Sequence, residues 1–95
     1  MLILVTYDLK RPLADYEKLY DLLKSANRWW HFISSTWLIS IDDNSPNAFT
    51  SWYQRINELI YQNDRVLVMK IQPNTENNGW LPQNAWDWIA ENINK

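Results

Sequence analysis

Three strand-like runs of this sequence carry apolar side chains on both faces, and this feature constrains the fold most. The runs are residues 2–7, 36–41 and 65–71. Successive side chains of a strand point to opposite faces of its sheet, so helices packed on one face leave a second apolar face uncovered. We therefore expect a sheet with helices on one side and another cover on the other side.

The length of the chain suggests two ways to cover the second face. Ninety-five residues predict a single domain, residues 1–95, which has little material for a third layer of its own. A second copy of the same sheet is the simplest cover, and it predicts a homodimer in which the sheets face each other. The alternative is that the tryptophan-containing C-terminal tail folds back over this face.

Periodicity and capping residues predict three helices. Residues 15–27 predict a helix with Asp15 as its N-cap, and residues 46–60 predict another with Ser45 as its N-cap. The first of these has one apolar stripe, formed by Tyr16, Leu19, Tyr20 and Leu23. A tail helix is predicted over about 82–94, anchored by the tryptophans at positions 80, 86 and 88.

The order of the elements predicts the fold class. Residues 29–33 and 36–41 predict a hairpin joined by Ser34 and Ser35. Together with the strands at 2–7 and 65–71, this gives an α+β, ferredoxin-like βαββαβ arrangement with an additional C-terminal helix. Right-handed crossovers then place the first and third strands at the centre of the sheet and the first two helices on one face.

Composition excludes several classes of site. The chain has no cysteine, one histidine and one glycine, so disulfides, thiol catalysis, zinc–thiolate sites and glycine-rich phosphate loops are excluded. The net charge of −2 and the pI of about 5.2 argue against a broad electrostatic surface for nucleic acid. A local basic cluster remains compatible with this charge.

Hydropathy predicts a protein without a membrane partner. The N-terminal apolar run is short, lacks a preceding basic region and is followed by charged residues, unlike a signal peptide. No stretch approaches the roughly 18 apolar residues of a membrane-spanning helix. We therefore expect a cytoplasmic location.

Asp8 is the main candidate for chemistry, because it ends an otherwise apolar strand. A carboxylate in this position can hold a hard cation such as Mg²⁺ or Mn²⁺, which activates water against a phosphodiester. Two copies near a dimer axis could share such an ion. The simpler interpretation is that Asp8 accepts backbone hydrogen bonds or pairs with Arg11, and then no cofactor is needed.

Lys10, Arg11 and Arg28 are candidate phosphate-binding residues near Asp8. Phosphate contacts provide affinity without reading sequence. The alternative is that these cations belong to a solvated loop and helix end.

The run "WWHF", residues 29–32, adds a candidate surface for stacking on bases. In an alternating strand Trp29 and His31 share one face, and Trp30 and Phe32 share the other. His31 is a candidate nucleic-acid-binding residue, although a structural role with satisfied hydrogen bonds is the simpler interpretation.

Several short segments, taken in order, resemble the CRISPR-associated Cas-two family. They are "TYDL", the hairpin "RWWHFISSTWLIS" and "NDRVLVMKI". The chain is also similar to small bacterial proteins labelled SinR family or Cas-two-like, through "YDL", "WW…STWLI", "DRVLV" and the tail "GWLPQNAWDW". The chain resembles the VapD ribonucleases more distantly.

This resemblance implies a ferredoxin-like homodimer with Asp8 of both subunits near the dimer axis. Some Cas-two members are metal-dependent nucleases that use this aspartate, and others are DNA-binding platforms for an integrase partner. Two function hypotheses follow. The first is a Cas-two-like dimer that binds nucleic acid or a nucleotide, with Asp8 as the carboxylate of a divalent-metal endonuclease. The second is a non-catalytic dimeric regulatory or interaction module, antitoxin-like or an adaptor for a protein partner, which the acidic pI favours.

Overall fold

The computed structural model describes residues 1–94 as a small α+β structure with one four-stranded antiparallel sheet. The elements in chain order are β1 (Leu2–Asp8), a 3₁₀ helix (Leu13–Tyr16), α1 (Glu17–Lys24), β2 (Arg28–Ile33), β3 (Thr36–Ser40), α2 (Ala48–Asn57), β4 (Arg65–Ile71) and α3 (Gln83–Asn92). The predicted elements are therefore all present, with shifted ends. No helix among the described residues is both long enough and apolar enough to cross a bilayer.

The strands lie in the order β2-β3-β1-β4, so the first and third strands are central, as predicted. Leu4 of β1 lies opposite Leu38 of β3 on one side and Met69 of β4 on the other. Because β1 and β2 are both antiparallel to β3, they run parallel to each other, and α1 connects them across one face.

The main core lies between one face of the sheet and the helices α1 and α2. Ile3 and Val5 of β1 are fully buried there, beside Trp37 and Ile39 of β3. The helices contribute buried side chains at helical spacing, among them Leu19, Leu23, Trp52 and Ile56. Each large apolar side chain buried in this way stabilises the fold by about 1.5–3 kcal/mol. The apolar stripe predicted for the first helix is confirmed.

The second face of the sheet is covered in part by the tail. Trp30 of β2 is only 3% exposed and packs against Ala85 and Ile89 of α3. Its indole Nε1–H donates a hydrogen bond to the Ala85 carbonyl at 3.2 Å. The β1–β4 half of the same face stays open in the single chain, where Leu67 is 54% exposed and Met69 is 48% exposed.

Both predicted N-caps are wrong. Asp15 lies inside the 3₁₀ helix, which starts after Pro12, and α1 begins only after Tyr16. The backbone N–H of Asp15 donates to the Pro12 carbonyl at 3.0 Å, so the 3₁₀ helix has already begun before the predicted cap. The second helix starts at Ala48 after Asn47, and Ser45 contributes its backbone carbonyl to the turn that precedes it.

The tail helix is confirmed almost as predicted, but the anchoring role of Trp80 is wrong. Trp86 and Trp88 are half-buried against the cluster around Trp30. Trp80 lies before the helix, outside its packed face, and is fully exposed.

Candidate functional site at the end of the first strand

Asp8 is the last residue of β1, and its side chain is exposed to solvent. Its register partner on β4 is Arg65. Carboxylate Oδ2 accepts a hydrogen bond from Lys10 Nζ at 2.7 Å, and both side chains are more than half exposed. Exposed ion pairs contribute little stability, about 0–1 kcal/mol. The carboxylate is therefore open to another cation.

A shallow depression of about 260 Å³ includes Asp8 and the tip of the β2–β3 hairpin. Its lining includes Tyr7, Asp8, Arg11, Tyr20, Ser34 and Ser35. The hydroxyl of Tyr7 donates to the Ser34 carbonyl at 3.0 Å and accepts from Trp37 Nε1 at 2.9 Å. Burial raises the pKa of Tyr7 well above its ordinary value, and a hydrogen bond with Tyr20 raises it further. The phenol therefore stays protonated at neutral pH and fixes the hairpin beside Asp8.

Asp64 organises the loop after β1, although it is not among the site residues predicted from the sequence. Its carboxylate accepts hydrogen bonds from the Tyr16 hydroxyl and from the backbone N–H groups of Lys10 and Tyr61, each at 2.8 Å. Burial opposes ionisation, but the backbone and tyrosine donors, with the nearby charge of Arg11, lower the pKa of Asp64 overall. An aspartate in a turn just before a strand often accepts hydrogen bonds from nearby backbone N–H groups. This position in the sequence could have identified Asp64.

Arg11 is held by an aromatic contact rather than by the carboxylate of Asp8. Its guanidinium carbon lies 3.8 Å from the centroid of the Tyr61 ring, a cation–π geometry. Its backbone N–H donates to the Tyr16 hydroxyl at 3.2 Å. Within residues 1–94, neither of the two ion pairs involves Arg11. Its charge therefore remains available to an anionic ligand.

His31 lies near the hairpin tip, with its ring stacked on Trp37 at 3.8 Å between centroids. Its Nε2 is 3.0 Å from the Ser34 carbonyl, which accepts the hydrogen bond if the proton is on Nε2. The predicted faces of the "WWHF" run agree with its ring contacts, because Trp29 also contacts Trp37 and Trp30 contacts Phe32. The ring of His31 thus has structural partners at this end of the sheet.

Arg28 lies at the other end of the sheet. It pairs with Ser40, which pairs with Leu2, so about 20 Å of strand separates it from Asp8 at about 3.3 Å per residue. Its guanidinium donates to Ser40 Oγ, to Asn92 Oδ1 at 3.0 Å and to the carboxylate of Asp42. The structure therefore brings Lys10 and Arg11 together near Asp8, and it does not bring Arg28 there.

The donor set near Asp8 fits a divalent cation only in part. Within residues 1–94, no three histidine, cysteine, aspartate or glutamate side chains are grouped to hold a metal ion. Mg²⁺ in phosphoryl-transfer sites often uses one or two carboxylates, with water and substrate phosphates completing its shell. The carboxylate of Asp8 is one oxygen donor of the kind that such sites use.

Comparison with protein-family models finds none that matches this sequence. Comparison with curated proteins finds no significant match either.

Proposed function

We propose that this chain acts as a Cas-two-like, ferredoxin-like homodimer in the cytoplasm that binds nucleic acid or a nucleotide, with Asp8 as the carboxylate of a divalent-metal endonuclease. One observation carries this proposal. Asp8 stands exposed at the end of a central strand, with the cations of Lys10 and Arg11 on the loop that follows. This combination offers a ligand for a metal ion and two contacts for phosphate in one small area.

The open half of the second sheet face supports the homodimer. Leu67 and Met69 of β4 are about half exposed, and Leu4 of the neighbouring strand is partly exposed beside Met69. A second copy of the chain would bury these side chains, with a gain of about 25 cal/mol per Å² of apolar surface. A two-fold contact near β1 would also bring a second Asp8 toward the first.

The carboxylate has to exchange its partner before it can hold a metal ion. Asp8 would leave the ammonium of Lys10, and Lys10 would then be free to contact a phosphate of the substrate. When bound, Mg²⁺ or Mn²⁺ supplies charge stabilisation of the phosphodiester and activation of water. Arg11, which takes part in neither ion pair of the described chain, would orient the phosphate backbone.

The test is cleavage of single- and double-stranded RNA and DNA by the purified protein, with Mg²⁺, with Mn²⁺ and with a chelator. We expect metal-dependent cleavage that is lost in Asp8→Asn and retained in Asp87→Asn, an exposed position on α3. Full activity in Asp8→Asn would reject the catalytic role of Asp8. Absence of both cleavage and binding by the wild-type protein would reject the whole proposal.

A second candidate is a non-catalytic dimeric regulatory or interaction module, antitoxin-like or an adaptor for a protein partner. Trp80 favours it, because this large aromatic side chain is fully exposed and aromatic residues are enriched at protein interfaces. This module would bind its partner without cleaving any nucleic acid. It is supported if Trp80→Ala abolishes association with a protein partner while Asp8→Asn leaves that association unchanged.

A further inference from the structure

A second depression, of about 280 Å³, adjoins the loop after β1 and shares Arg11 with the depression beside Asp8. Its lining consists of Lys10, Arg11, Tyr61, Gln62, Asn63 and Asp64. It therefore lies between the loop that follows β1 and the turn that precedes β4. Its volume lies just below the usual range of about 300–1,000 Å³ for small-molecule sites, which suits one ring system better than an extended ligand.

The ring of Tyr61 is held in place at this depression. Its hydroxyl donates to the Asp15 carbonyl at 3.2 Å, and its backbone N–H donates to Asp64 at 2.8 Å. Its ring meets that of Tyr16 edge to face, with 5.6 Å between centroids and an interplanar angle of 79°. The aromatic surface is thus fixed before any ligand arrives, which lowers the entropic cost of stacking on it.

Arg11 and Tyr61 together form a cation–π pair that is still partly open. The guanidinium lies 3.8 Å from the ring centroid, and Tyr61 remains 38% exposed. Planar guanidinium groups and aromatic rings are the two kinds of side chain on which proteins stack unpaired bases.

The turn adds polar groups that can read the edge of a base. Gln62 and Asn63 are exposed, and within residues 1–94 neither side chain makes a hydrogen bond. An amide side chain offers both a donor and an acceptor, which is the pattern that pairs with an adenine edge. The carboxylate of Asp64 is already occupied by three donor groups and serves to hold the turn.

We propose that this depression binds one unpaired nucleobase, stacked on the Arg11–Tyr61 pair and contacted at its edge by Gln62 or Asn63. The inference rests on the proposed nucleic-acid function and names its ligand more closely, as single-stranded nucleic acid or a free nucleotide. Lys10 reaches Asp8 from the wall of this depression. A nucleotide can therefore place its base beside Tyr61 and its phosphate toward Lys10. Duplexes are disfavoured because their bases are already paired and stacked.

The first test compares ligands on the wild-type protein, so that it does not depend on a variant folding. Fluorescence anisotropy measures binding of a labelled oligoadenylate and of an abasic oligonucleotide of equal length, which keeps every phosphate. We expect the abasic strand to bind about 5- to 150-fold more weakly, the range for loss of one stacked base. Competition by adenosine monophosphate, but not by ribose 5-phosphate, would show that a free nucleotide also enters.

The second test uses matched variants. Tyr61→Leu removes the aromatic surface, and Tyr61→Phe keeps it while losing the hydrogen bond to Asp15. Tyr53→Leu is the control, because Tyr53 is 41% exposed on α2 and lines neither depression. Of these variants, we expect only Tyr61→Leu to bind oligoadenylate more weakly than the wild type does. This variant should bind the abasic strand no more weakly than it binds oligoadenylate.

The outcomes separate the two proposals. Equal affinity for the abasic and the base-containing strand overturns the base pocket, and binding that falls in Lys10→Ala for both strands still supports the nucleic-acid function. Tighter binding of a duplex than of the base-containing single strand or the abasic strand likewise overturns the pocket. Absence of binding to every ligand overturns the proposed function, and the base pocket with it.

Discussion

The hydroxyl of Tyr16 donates to the carboxylate of Asp64 at 2.8 Å, across 48 positions of the sequence. Tyr16 is buried at the start of α1, and Asp64 lies in the turn before β4. Asp64 also accepts from the backbone of Lys10, so one carboxylate joins the first helix, the last strand and the loop that carries the candidate cations. The geometry of the site after β1 therefore depends on a residue that does not contact any proposed ligand phosphate.

Replacement of this carboxylate tests that dependence. Asp64→Asn keeps the size of the side chain but loses the charge that accepts from three donors, so we expect a loss of about 1–3 kcal/mol in the free energy of unfolding. The folded-state pKa of Asp64 is lowered, so its contribution is complete above the unfolded pKa of about 3.9 and is lost as pH falls through the folded pKa. Urea unfolding between pH 3 and pH 7, monitored by tryptophan fluorescence, measures both effects.

Tyr16→Phe is the matched variant for the same contact. A double-mutant cycle with Asp64→Asn isolates the coupling between the two side chains. This account of Asp64 would be contradicted if the two variants lowered the free energy of unfolding by strictly additive amounts. It would also be contradicted if that free energy fell as steeply with falling pH in Asp64→Asn as in the wild type.

The burial of Tyr16 predicts a loss of stability at alkaline pH. Burial raises the pKa of Tyr16, and its bond to Asp64 raises it further. A group with a raised folded pKa contributes stability that is complete below its unfolded pKa, about 10, and is lost as pH rises through the folded value. We expect the free energy of unfolding to fall more steeply above pH 10 in the wild type than in Tyr16→Phe. Tyr53→Phe, at an exposed position, should follow the wild type, and equal slopes for all three would refute the prediction.

Trp30 is expected to hold the tail helix on the sheet. Trp30→Phe removes the indole N–H that bonds to the Ala85 carbonyl and part of the buried area, so we expect a loss of about 1–3 kcal/mol. Trp80→Phe is the control, since Trp80 is fully exposed. Thermal unfolding measures both variants. An unchanged melting temperature in Trp30→Phe, or an equal drop in the two variants, would show that this contact does not anchor the tail.

Met69 tests the proposed sheet-to-sheet dimer. Met69→Lys places a charge in the open apolar half of the second face, so dissociation into monomers is expected at micromolar concentration. Thr50→Lys, on the exposed side of α2, is the charge-matched control. Sedimentation equilibrium measures the mass of each species, and circular dichroism checks that the fold is intact. A monomeric wild-type protein would rule out the homodimer directly.

Local patterns predicted most of the fold, because they depend on neighbouring residues. The spacing of Leu19 and Leu23 and the alternation of Ile3 and Val5 identified the buried faces of α1 and β1. The ends of the helices were less predictable. Pro12 starts a 3₁₀ turn that a capping rule does not anticipate, and so Asp15 lies inside a helix rather than at its start.

The candidate site was predicted only in part, because its contacts join distant segments. The strand tip at Asp8 and the adjacent Lys10 and Arg11 were visible in the sequence as neighbours. Asp64 and Tyr61 reach the same loop from beyond the second helix, and this proximity follows from β4 lying beside β1. Arg28 shows the converse. It begins β2 of the hairpin whose tip lies near Asp8, and yet it lies at the other end of the sheet.

The position of β4 at an edge of the sheet affects how the protein behaves at high concentration. Among the described strands β4 pairs only with β1, so its outer backbone groups offer a template on which a stray strand could add. Arg65 and Lys70 are exposed near the two ends of this strand. Charges so placed act as gatekeepers against ordered aggregation. Neutralising both would favour fibrils, even where the native fold kept its full stability.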